Sequence, residues 1–150
     1  MLTMSSQPVC AMIDEVRLLR LLRAVADDVG ALKGEATADE GRRSFAMWLP
    51  GVKYTFVTAI EACVDIAQHL CSVEGWGPPA DNGDAIRLLG SHRVLSESLA
   101  ESMRKAVGFR NVLVHEYVDV SDEIVAARLK DLSDLDSFLL EVTTYMRPDR

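Results

Sequence analysis

The groups best suited to chemistry sit together in one ten-residue stretch. Gly108 to Tyr117 reads GFRNVLVHEY and sets Arg110, Asn111, His115 and Tyr117 into a largely apolar helical run. An imidazole titrates near neutrality, so a histidine can take up a proton and return it within one reaction. A guanidinium keeps its charge and presents five N–H donors, which suits it to an oxyanion or a phosphorane. An asparagine four residues before a histidine shares its helix face and can fix the ring's tautomer, and Asn111 stands in that relation to His115. Arg110 fills the slot where the stripe Leu95, Leu99, Met103, Ala106, Leu113, Tyr117 calls for another hydrophobe. A charge placed there needs a carboxylate, an anion or a cleft, although a snorkelling or salt-bridged arginine fits the same pattern. At about 100° per residue, Arg110 and His115 point roughly 140° apart on an ideal helix. One helix therefore struggles to close both groups on one phosphate, unless the long arginine reaches around or the helix end distorts. Two copies meeting across a two-fold axis would let each supply an arginine and a histidine to a shared cleft.

These side chains must be held by helices. Apolar spacing is helical almost throughout the 150 residues, and no run alternates with period two for long enough to make a sheet. The expectation is an all-α, up-and-down bundle of four main helices plus a short one, forming one domain over residues 1–150. The first helix is placed at about Val9 to Leu32, stopping near Gly34, with Ile13, Val16, Leu19 or Arg20, Arg23 and Val25 along it. Arg17, Arg20 and Arg23 mark a solvated face. The second spans Ala38 to Cys71, with a kink or restart at Pro50-Gly51, where proline removes a hydrogen bond. Beyond it Val57, Ile60, Val64 and Ala67 or Cys71 form an inward stripe, while Glu61, Asp65 and His69 form a second one. By spacing alone these carboxylates read as a solvated face.

Glu74 to Gly83 is a Gly/Pro loop whose Trp76 is expected to pack over the bundle rather than stack on a base. A short helix follows at Asp84 to Leu89, broken at Gly90-Ser91, and the motif helix runs from about Val94 to Glu116. Ser121 reads as an N-cap with Asp122 and Glu123 in the first turn, opening a single last helix to about Tyr145. His69 and His92 read as ordinary surface or loop histidines.

Composition narrows the class further. With 49% apolar and 26% charged residues the chain is globular in type, and a net charge of −7 argues against broad, nonspecific nucleic-acid binding. The stretch from Arg87 to Arg110 is nevertheless locally basic, with Arg93, Arg104 and Lys105 set against Glu97 and Glu101. No window approaches eighteen uninterrupted apolar residues, so no membrane span is expected. The N-terminus has no basic region leading into an apolar core, so a secretory signal is not expected either. Cys10, Cys63 and Cys71 form no C-x-x-C pair and are odd in number, which points to a reducing cytoplasm, and Cys63 and Cys71, in an apolar helical run, read as buried structural thiols. No metal-ligand cluster or cofactor motif is apparent.

The phrase RNVLVHEY, with its flanks YTFVTAIEACVDIAQHL and VGFRNVLVHEYVDVSDEIV, resembles the Arg-x4-His-x-Tyr signature of HepT-like members of the HEPN superfamily. The segment through Gly51 is covered less well. The resemblance implies an all-helical homodimer, the toxin of a toxin-antitoxin pair, cutting RNA without metal. It also implies a partner, a small MntA-like nucleotidyltransferase antitoxin that adds AMP to the motif tyrosine. By that resemblance Arg110 and His115 are catalytic, Asn111 supports the ring and Tyr117 is the modified residue. An acidic position on the second helix, Glu61 or Asp65, would pair with Arg110 or orient His115. The competing reading is a noncatalytic subunit that uses the same helix to hold a nucleotidyltransferase or a nucleotide.

Overall fold

The computed structural model describes residues 7–115 and 120–147, with side chains described from Glu15 onward. Among these residues the chain forms seven helices and no strand: α1 (Gln7–Ala36), α2 (Glu40–Arg43), α3 (Trp48–Glu74), α4 (Asn82–Ser91), α5 (Glu97–His115), α6 (Asp122–Lys130) and α7 (Ser133–Met146). The four long helices close a ring in which α1 packs on α3, α3 on α5, α5 on α7 and α7 back on α1. The expected all-α bundle is therefore present, with α4 bridging α3 and α5.

The inward seam of α1 is Leu18, Leu22, Val25, Val29 and Leu32, spaced alternately by four and three and buried throughout. Such spacing keeps a stripe on one face of a helix. Of the described members of the series read from the sequence only Val25 belongs to it, since Val16 and Leu19 are exposed. Overlapping leucines offer α1 more than one stripe, and packing against α3 selects between them. Arg17, Arg20 and Arg23 are solvated as expected. The helix also continues through Gly34 to Ala36, held by a tertiary anchor. Glu35 accepts Nε and Nη2 of Arg42 at 2.6 and 2.5 Å and Nε1 of Trp48 at 2.8 Å, tying α2 and the start of α3 to the end of α1.

Pro50 causes no kink, because it lies in the first turn of α3, where backbone N–H groups have no intrahelical acceptor to lose. The interruption expected at Pro50-Gly51 lies earlier in the chain, as a restart: α2 ends at Arg43 and α3 begins at Trp48. The 27 residues of α3 are long and apolar enough to cross a bilayer by length and composition. Here its apolar positions are spent within the bundle, with residues such as Phe56, Ile60, Ile66 and Leu70 buried among α1, α4 and α5. Gly75, at φ +77°, ends the helix in the left-handed conformation that glycine adopts without steric cost.

Two boundaries near the site differ from the expectation. The helix α4 runs through Gly90 instead of breaking there, and a Cβ on Gly90 would meet Ala100 Cβ at 2.7 Å, so the missing side chain lets α4 and α5 approach. The motif helix begins at Glu97 rather than Val94, because Ser96 Oγ accepts the Leu99 N–H at 3.2 Å and caps it. The single last helix expected from Ser121 is two helices. Asp131 Oδ1 accepts both the amide and the hydroxyl of Ser133, at 3.1 and 2.6 Å, a local bond that competes with helix continuation and turns the chain between α6 and α7. The Ser121 cap itself is present, accepting the Glu123 N–H at 3.2 Å.

Candidate functional site

The motif helix is fixed from behind before it presents anything outward. Leu99, Met103, Val107, Phe109 and Leu113 are buried along α5. Phe109 meets Phe56 of α3 edge to face at 5.5 Å, and the guanidinium of Arg128 on α6 lies 5.2 Å from its centroid. These contacts hold in place the turn that carries Arg110. Sequence reasoning missed Phe109, Phe56 and Arg128 as supports. Their only local signal was an aromatic residue directly before the motif arginine.

Arg110 is half-buried, as its slot in the apolar stripe requires, and its partner is Glu61. Nε and Nη2 donate to Glu61 Oε2 at 3.2 and 2.6 Å, and Nη1 donates to Asn111 Oδ1 at 3.0 Å. The Glu61 side chain is 45% exposed, so the pair contributes at most about 1 kcal/mol to stability. Its larger effect is to aim the guanidinium. Of the two carboxylates singled out on the second stripe, Glu61 meets the motif. Asp65 is exposed one turn further along α3, and the structure does not bring it into the pair.

Asn111 is also arranged differently from the expectation. Its carbonyl oxygen is taken by Arg110, so the contact that the structure makes runs to the guanidinium rather than to the imidazole. His115 is exposed at the last residue of α5. It lies on a different face of the helix from Arg110, as the angular spacing requires. Tyr117 falls outside the described residues. A single chain thus offers an aimed cation and a solvent-facing imidazole that do not close on one another.

The remaining candidates are structural. Trp76 packs over the bundle, stacked on His92 at 4.1 Å with Tyr145 edge-on at 6.3 Å. Burial pushes the thiols of Cys63 and Cys71 upward, away from thiolate chemistry. Among the described residues no group of three or more His, Cys, Asp or Glu side chains is placed to hold a metal ion.

Residues 31–142 match the family model for ribonuclease HepT-like proteins, a stretch that includes α3, the Arg110–Glu61 pair and His115. The chain belongs to the ribonuclease HepT-like family. Among curated HepT relatives it is 32% identical over 80 residues to the mRNA nuclease HepT of Shewanella oneidensis, covering 53% of this chain and 60% of that one. It is 29% identical over 87 residues to the tRNA nuclease HepT of Aphanizomenon flos-aquae, covering 57% and 59%. The chain thus spans about three fifths of the length of these relatives. In three dimensions it matches a tri-AMPylated Shewanella oneidensis HEPN toxin solved in complex with its MNT antitoxin. The TM-score is 0.78 at 20% identity, over 85% of this chain and 97% of the toxin. At that identity the likeness establishes that this HepT-like chain shares the HEPN toxin fold.

Proposed function

We propose that this chain is the toxin of a toxin-antitoxin pair, a metal-independent endoribonuclease that acts in the cytoplasm as a homodimer through Arg110 and His115. The observation that carries the reading is the half-buried Arg110, held in an apolar stripe by Glu61 and Asn111 with His115 exposed beyond it. A core arginine requires only neutralisation, whereas this one is aimed on a helix that also ends in a histidine. The nuclease names of its HepT relatives support the same reading.

His115 serves as general base on a ribose 2′-OH, or as general acid on the leaving oxygen. Arg110 stabilises the charge that develops on the phosphorane. Asn111 and Glu61 are positioning residues, since both act through the guanidinium. Because Arg110 and His115 diverge on one helix, the cleft is completed by a second copy of α5. Val112, 38% exposed and one turn before the histidine on its side of the helix, suits such a contact. An MntA-like nucleotidyltransferase antitoxin silences the toxin by transferring AMP from ATP to the hydroxyl of Tyr117, with pyrophosphate as the leaving group.

Expression of the wild type and of His115→Ala, with growth and RNA integrity followed, tests the chemistry. The wild type is expected to slow growth and fragment RNA, and the variant to do neither. Incubation with the partner and ATP should add the mass of AMP to the wild type and not to Tyr117→Phe. Should the wild type leave RNA intact while binding the nucleotidyltransferase, the noncatalytic reading that the net charge of −7 favours replaces this one.

A further inference from the structure

A groove of about 450 Å³ runs between the start of α4 and the outer face of α5, and Asn111 joins it to the site. Along α5 its wall is formed by Arg104, Lys105, Gly108 and Asn111, and α4 contributes Asn82. Two carboxylates, Asp81 and Glu101, also line it, so net charge alone does not say what it takes.

The partners of each side chain decide more. Asp81 Oδ1 accepts the Asp84 N–H at 2.8 Å, and Glu101 Oε1 lies 3.7 Å from Arg104 Nη1. The side-chain carbonyl of Asn82 accepts from Gln68 at 3.4 Å, and that of Asn111 accepts from Arg110 at 3.0 Å. The Asp81 carboxylate thus caps α4 and that of Glu101 is ion-paired with Arg104, while among the described residues the second oxygen of each stays open. The donors remain available: the amide NH2 groups of Asn82 and Asn111 and the ammonium of Lys105, which among the described residues forms no salt bridge. With Asp81 committed to capping α4, Glu101 paired with Arg104 and the amide and ammonium donors available, the groove fits an acceptor-rich chain, and a phosphodiester backbone is one. Gly108 leaves the middle of the wall bare, and a Cβ added there would meet nothing within 4 Å.

We propose that the α4–α5 groove seats the sugar-phosphate backbone of the RNA strand flanking the scissile bond, with Lys105, Arg104 and the amides of Asn82 and Asn111 as its contacts and bare Gly108 as the point of closest approach. The proposal rests on the nuclease reading for the reaction, but its test reads binding. The strand would be single, because separate donors along one wall follow one backbone.

The probe is a fluorescent single-stranded oligoribonucleotide, with its anisotropy titrated on His115→Ala protein at several salt concentrations. Lys105→Ala and Arg104→Ala are each expected to weaken binding about 3- to 10-fold and to flatten the log–log salt dependence by about 0.7. Arg20→Ala, remote on α1, should leave it unchanged. Gly108→Ala should raise the Tm by about 2–4 °C, as alanine favours a helix, and still weaken RNA binding. Unchanged affinity and slope in both cation variants would overturn the groove whether or not the wild type cuts RNA. A halved solution mass for Gly108→Ala would equally overturn it, by assigning the bare turn to a contact between copies. Intact salt effects with no cutting by the wild type would leave the groove standing and defeat the nuclease reading instead.

Discussion

The protein uses a carboxylate–guanidinium pair twice, in opposite ways. At the end of α1, Glu35 spreads three donors over both oxygens, two from Arg42 and one from the Trp48 indole. The hydrogen bonds from Arg42, with that from Trp48, hold its carboxyl down to about 2. At the motif, Glu61 receives both Arg110 contacts on a single oxygen, and the guanidinium is shared with Asn111. The first arrangement is saturated and fastens α2 and α3 to α1. The second leaves carboxylate capacity unused and keeps the cation beside solvent, where on the proposed nuclease reading a substrate phosphate would compete for it. Whether both carboxylate oxygens are engaged, rather than the presence of a salt bridge, separates the fastener at the end of α1 from the open pair at the motif.

Substitution should separate the two pairs by what each loses. The largest effect is expected at the motif: His115→Ala should lower RNA cleavage about 10²- to 10⁴-fold, measured as initial rates on a labelled oligoribonucleotide. Arg110→Ala should cost about 10²- to 10³-fold in kcat through loss of charge stabilisation. Glu61→Gln should lower kcat by about 10-fold by loosening the aim of Arg110, while the Tm stays within about 1–2 °C of wild type. Glu35→Gln should do the reverse, lowering the Tm by about 2–4 °C with cleavage unaltered. A Glu61 variant that melts early but cuts normally would merge the two pairs into one class.

Acid gives the finest distinction. The folded-state value of Glu35, about 2, lies below its ordinary 4.5, so its stabilisation is complete above about pH 4.5 and is lost as the pH falls toward 2. The stability difference between wild type and Glu35→Gln, followed by denaturant titration, should shrink through that window.

Much of this was legible in the residues, and the misses have physical causes. Arg110 announced its need for an anion by interrupting an apolar stripe. Glu61 and Asp65 share a face of α3, so spacing could not choose between them, and only the position of α5 against α3 does. The turn between α6 and α7 was hidden because Val125, Leu129, Leu132, Leu135 and Phe138 keep helical spacing across it, although Asp131 and Ser133 carried the local signal. The inward side of α1 was obscured by neighbouring leucines that supply several overlapping stripes. Supports such as Arg128 over Phe109 join segments far apart in sequence and leave no periodic trace.

Glu61 belongs to α3, the helix on which α1, α4 and α5 all pack. The bearing of the motif cation is therefore inherited from the helix those neighbours share, and any loosening of it reaches the guanidinium without a relay. Warming should blunt the reaction before the helices come apart, making catalysis an earlier reporter of a softened interior than circular dichroism.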